Sequence, residues 1–178
     1  AYRAYDGHRL LLIGFLCLCG LCLLAQGNPT QPAKQTKQAK SKVYLLHADT
    51  LRKSLENPDP DAQILIGNVA FRHDSIYMFC DSACFYEKSN SLEAYYNVKM
   101  EQGDTLFLYG DYLFYNGNTQ IAQVRNHVKM ENRNTTLLTD SLNYDRIENV
   151  GYYFDGGILI DEENVLTSDW GEYDPSTK

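Results

Sequence analysis

The residues able to carry out acid–base, nucleophilic or metal chemistry are few and scattered. The four histidines, His8, His47, His73 and His127, stand far apart, and none forms the H-E-x-x-H pair of a zinc hydrolase. No G-x-S-x-G frames Ser75, Ser82 or Ser141, so a nucleophile elbow is absent. His73-Asp74 and His47-Ala48-Asp49 read as exposed strand-end residues rather than ligands. Gly103, Gly110 and Gly117 each stand alone and build no phosphate-binding loop. Four aspartates recur, Asp81, Asp111, Asp140 and Asp169, and stacked carboxylates can bind Ca²⁺. The glycine-rich nonapeptide that does so in calcium β-rolls is missing, however, and the aspartates read as turn residues that bond their own backbone. Asn134-Thr135-Thr136 matches a glycosylation sequon. The expectation is no catalytic residue, no metal and no cofactor.

The elements that would hold such residues come in three compositional zones. Leu10–Ala25 is an unbroken apolar run preceded by Arg3, His8 and Arg9 and followed by Gln26 and Gly27. It reads as a secretory signal peptide over residues 1–27, the alternative being an N-terminal membrane anchor. A leader without an initiator Met points to a fragment, and the end at Lys178 suggests truncation there too. Residues 28–42 carry two prolines, four lysines and no large apolar side chain, the composition of a flexible linker. Residues 43–178 form the folded body. The charge divides the same way: residues 1–42 hold six basic residues to one acid, and residues 43–178 hold ten to 22. An acidic body repels phosphate backbones, which argues against a nucleic-acid partner. Of the five cysteines only Cys80 and Cys84 lie in the body. On one continuous strand they would sit about 13 Å apart, beyond bridging distance, so free thiols filling a core are expected unless the chain turns at Asp81-Ser82-Ala83.

The body repeats itself. A short polar residue precedes Val or Ile, with an apolar residue two further on, at Asn68-Val69, Asn97-Val98, His127-Val128 and Gly157-Ile158, in steps of 29, 30 and 30 residues. The recurring aspartates keep steps of 30, 29 and 29. Two independent markers with one period indicate a stack of similar units. Within a unit the pattern alternates: Leu92, Ala94, Tyr96, Val98 and Met100 against Glu93, Asn97, Lys99 and Glu101. That is a half-buried strand. The same parity returns at Ala122, Val124, Val128 and Met130, and at Tyr152, Phe154, Ile158 and Ile160. Turns are expected at Gly103-Asp104, Asn116-Gly117-Asn118, Glu131–Asn134 and Gly156-Gly157. Only Thr50–Glu56 offers a helical turn or two.

The order of these motifs resembles the OstA-like family, related to the periplasmic bridge protein of lipopolysaccharide transport. The resemblance is carried by Ala48-Asp49-Thr50-Leu51 with Gly67-Asn68-Val69, by Gly110–Gly117 (G-D-Y-L-F-Y-N-G), and by Leu138–Asp145 (L-T-D-S-L-N-Y-D). It implies an all-β fold, an antiparallel β-jelly-roll or β-taco of two folded-over sheets whose apolar interior shelters acyl chains. It also implies a periplasmic protein whose end strands join other transport proteins or further copies head to tail. The expected groove lining is Val69, Phe71, Ala94, Tyr96, Val98, Met100, Leu106, Leu108, Val124, Val128, Met130, Phe154, Ile158 and Ile160. From another class stands a structural or adhesive β-solenoid with a closed core that binds protein partners through its strand edges.

Overall fold

The computed structural model describes residues 41–53 and 61–176, and within them every regular element is a β-strand. Six long strands, β3 (Ala62–His73), β4 (Ile76–Tyr86), β5 (Ser91–Gln102), β6 (Leu106–Asn116), β7 (Ile121–Asn132) and β8 (Thr135–Asp145), form an antiparallel meander. The edges are built from half-strands. β1 (Tyr44–His47) and β2 (Thr50–Lys53) pair with the two halves of β3. β9 (Val150–Tyr153) and β10 (Gly157–Ile160) pair with the two halves of β8, and β11 (Val165–Ser168) and β12 (Gly171–Tyr173) continue outward from β10 and β9. The expected leader and linker lie outside the described residues apart from Ser41 and Lys42. The helical turn expected from Thr50 is a strand to Lys53, and residues 54–60 are also outside.

Each long strand is broken once, near its middle, by a bulge in which two residues oppose one aspartate. Gly67-Asn68 face Asp81, Tyr96-Asn97 face Asp111, and Asn126-His127 face Asp140. The bulged residues sit at left-handed φ, 48° at Asn68, 62° and 50° at Tyr96 and Asn97, and 62° and 51° at Asn126 and His127. A bulge bends its strand, and asparagine tolerates this backbone better than most side chains. Because the bulges align across the meander, the sheet folds along one line into two arms with a shared core. Arm I holds the half-strands that end at the turns 87–90, 117–120 and 146–149. Arm II holds those that end at 74–75, 103–105, 133–134 and 161–164. This is the folded-over, repeat-built all-β architecture expected from the sequence.

Two sequence expectations change here. The aspartates are not hairpin turns: Asp81, Asp111 and Asp140 lie inside β4, β6 and β8 on the exposed corner. There they bond neighbouring strands, Asn97 donating to Asp81 at 2.7 Å, as Asn68 does at 2.9 Å to Asp49 between β1 and β2. His127 Nδ1 lies 2.7 Å from Asp111, and its backbone N–H donates to Asp140 at 3.3 Å. Gly156-Gly157 likewise belongs to the corner, where the Gly156 N–H bonds the Asp169 carbonyl, and the neighbouring hairpins turn at 146–149 and 161–164 instead.

Candidate functional site

The only extended apolar environment among the described residues is the space between the arms. Val69, Phe71, Ala94, Val98, Met100, Leu106, Leu108, Val124, Val128 and Met130 all line it, none more than 4% exposed. The other four expected lining residues lie elsewhere. Tyr96 is 67% exposed, because it is the first residue of the left-handed bulge and the bend turns its side chain out. Phe154 lies in the corner segment between β9 and β10, half exposed, with the Arg125 guanidinium 5.4 Å from its ring centroid. Ile158 is exposed and Ile160 half-buried, since both fall on the outer face.

The last unit is therefore one residue out of step with the sequence alignment. Val128 and Gly157 flank the same residue, Thr139, from opposite sides, so Gly157 rather than Ile158 is the counterpart of Val128. Tyr153 faces the core and Leu159 packs against it. The aspartates signal the inner residues of arm I that the first marker misses. The second and fourth residues after each one are inner: Ala83 and Phe85, Leu113 and Tyr115, Leu142 and Tyr144. The reason is that the single residue at the bulge reverses the parity of β4, β6 and β8.

Opposite the corner, the free ends of the arms meet in a seam made by side chains. Its rungs follow the same period. His73 Nδ1, at the end of β3, lies 2.6 Å from the Tyr115 hydroxyl at the end of β6, with the rings edge-on at 5.7 Å. Tyr144 donates to Asn149 at 2.7 Å, and its hydroxyl also lies 3.4 Å from the Gln102 side-chain amide. The Asn132 amide donates to the Tyr173 hydroxyl at 3.2 Å and to the Pro175 carbonyl at 2.9 Å. His73, Tyr115 and Tyr144 are fully buried, and burial pushes both tyrosine hydroxyls up to about 12. His73 was expected to be exposed; it is covered because the segment before β1 crosses the seam here. Val43 donates its N–H to Asn90 at 2.8 Å, Ser41 bonds Asp74, and Arg146 reaches Asp74 at 3.4 Å and Gln120 at 2.6 Å.

Cys80 is buried in the shared core and Cys84 is half-buried on the outer side of arm I; both are free, and burial pushes the Cys80 thiol up to about 12, far from a reactive thiolate. The edges differ from the middle. Tyr44, Leu46 and Leu51 on one edge and Val165, Leu166 and Trp170 at the other are 50 to 75% exposed.

A family model described as OstA-like protein matches residues 40–178. Among solved structures the chain is similar to the crystal structure of LptH, the LptA homologous periplasmic component of the conserved lipopolysaccharide transport device from Pseudomonas aeruginosa. The two share 14% identity, with 58% of this chain and 75% of that one covered and a TM-score of 0.49. No curated protein matches.

Proposed function

Since the chain belongs to the OstA-like protein family, we propose that it is a non-catalytic periplasmic carrier that shelters the acyl chains of lipopolysaccharide, or of a similar amphiphile, between its two arms. The observation that supports this reading is a single apolar core that runs the length of the repeat stack between arms hinged along one line. Moving a lipid through water requires such an interior, because each CH₂ buried is worth about 0.8 kcal/mol and an acyl chain carries many. The exposed apolar edges support a second part of the proposal, that end strands pair with other transport proteins or with further copies head to tail. In the full chain, residues 1–27 would direct export or anchor it, 28–42 would act as tether, and 43–178 would carry the lipid.

A second reading is favoured by one observation: the interior is filled by the chain's own side chains, with Phe71, Tyr115 and Tyr144 fully buried. On that reading the fold is a closed scaffold whose edges bind proteins. Photocrosslinking separates the two. A photoreactive residue at Met100, inside, should capture lipopolysaccharide in cells, and one at Tyr96, outside on the corner, should not. A folded protein that yields no lipid adduct at Met100 rejects the carrier.

A further inference from the structure

The seam contains one titratable side chain in a position that nothing in the packing requires. In the next two units the corresponding rungs use Gln102 and Asn132, neutral amides facing Tyr144 and Tyr173. The first unit uses His73, which is fully buried. Its Nδ1 is engaged by Tyr115, while its Nε2 is buried with no hydrogen-bond partner. Asp74 Oδ2 is 3.9 Å from Nε2, too far for a hydrogen bond, and accepts from Arg146, while Ser41 donates to the other carboxylate oxygen.

From this geometry we infer that His73 is a proton-sensitive lock on the seam, and that protonating its imidazole releases the free ends of the two arms while the corner stays folded. The closed seam is built for the neutral ring. An imidazolium carries two N–H donors; Nδ1 has Tyr115, and among the described residues Nε2 forms no hydrogen bond, the Ser41 backbone only weakly favouring the protonated ring. Taking up a proton from solvent would therefore bury a charged donor without an acceptor, a costly state. The groups facing the ring from each side do not cancel that cost. Tyr115 on β6 is a neutral phenol, and Arg146 in the β8–β9 turn is a second cation. Asp74 in the β3–β4 turn is the one anion facing the ring among the described residues, and it and the Ser41 backbone favour the proton without outweighing burial. Burial, outweighing the attraction of Asp74, holds the His73 pKa below its ordinary value of about 6.5.

The sign follows from linkage. A histidine whose closed-state pKa is depressed binds its proton more tightly when the seam is open, so closure is fully favoured above the ordinary pKa and lost as pH falls from there through the lower closed-state value. Release is confined to the seam because cross-arm attachment there is made by side chains, whereas at the corner the backbone of every long strand runs through from one arm to the other. The inference concerns the seam and stands whether or not the natural occupant is lipopolysaccharide.

The test uses the full chain and an uncharged apolar dye, N-phenyl-1-naphthylamine, with β-structure followed in parallel by circular dichroism. In the wild type, dye fluorescence is expected to rise several-fold between about pH 7.5 and about pH 5 with the β-signal unchanged. In His73→Gln, which gives the first rung the same residue as Gln102 in the second, the rise should be absent. Equal acid profiles in the two proteins, no rise in the wild type, or a rise that tracks loss of the β-signal would each overturn the inference. The His73 ring signals in the wild type give an independent check by NMR: their titration midpoint must coincide with that of dye uptake, and a mismatch overturns the lock even if the variant does not fold.

Discussion

The corner and the seam stand at opposite ends of every half-strand, and each carries one polar rung per unit, yet they hold the arms in different ways. At the corner the covalent chain makes the connection, and the side chains decorate it. Asn68, Asn97 and His127 occupy equivalent exposed places, and bonds to aspartate form from an amide in two cases and an imidazole in the third. In the seam the side chains are the connection, with His73, Tyr115, Tyr144 and Asn132 buried and Gln102 and Tyr173 half-buried. An exposed bond is exchanged for one to water at little net cost, whereas a buried donor or acceptor that loses its partner costs the full desolvation. The same repeat thus yields one line that tolerates change and one that does not.

The largest effect that tests this contrast concerns which side of the bend a residue occupies. Val98 follows the bulge and is 3% exposed; Phe154 sits in the last corner segment and is 49% exposed. Val98→Asp places a carboxylate in the core and is expected to cost about 4 kcal/mol or more, enough to unfold a domain of this size. Phe154→Asp should stay within about 0.5 kcal/mol, less whatever the Arg125 contact supplies. Urea denaturation of the two variants reads the difference directly. Comparable losses would mean that the last unit follows the sequence alignment and that Phe154 is interior.

That out-of-step unit shows where the sequence stops being informative. Fold class was legible because strand alternation and the 30-residue period are both carried by side-chain type, and ten of the fourteen residues expected to line a groove are buried between the arms. The bulges were not legible, since on β3, β5 and β7 the two bulged residues leave the alternation in step on either side. Tyr96 looks inward by alternation and points outward only because its φ is 62°. The aspartates announced themselves by spacing, but hairpins and corners favour the same residues, and only the register of neighbouring strands separates the two. The seam was hidden for a further reason: His73 and Tyr115 lie 42 residues apart and meet only when the arms close.

An intermediate effect compares one rung from each line. Tyr115→Phe removes the hydroxyl from His73 and leaves both ring nitrogens buried without partners, at an expected cost of about 1–3 kcal/mol. Asn97→Gly removes the bond to Asp81 but suits the left-handed backbone, φ 50°, and should change stability by less than about 0.5 kcal/mol. Denaturation midpoints with an unchanged slope would give both numbers. A Tyr115 variant as stable as the wild type would show that the seam contributes nothing to closure.

The smallest effect contrasts the two histidines themselves. His127 is an exposed corner residue hydrogen-bonded to Asp111, and that bond, aided by the charges of Asp111 and Asp140, raises its pKa above the ordinary value. Its sign is the reverse of that at His73. A raised folded-state pKa means a contribution fully present below about pH 6.5 and lost as pH climbs through the folded value, whereas the buried ring loses its contribution as pH falls. Proton NMR of the full chain should give a His127 midpoint above 6.5 and a His73 midpoint below it, and Asp111→Asn should lower the first without moving the second. Because the corner pair is open to solvent, added salt should also draw the His127 midpoint back toward 6.5 and leave His73, shielded in the seam, nearly where it was. Two histidines titrating together, or both responding to salt, would erase the physical difference between the line the backbone makes and the line the side chains make.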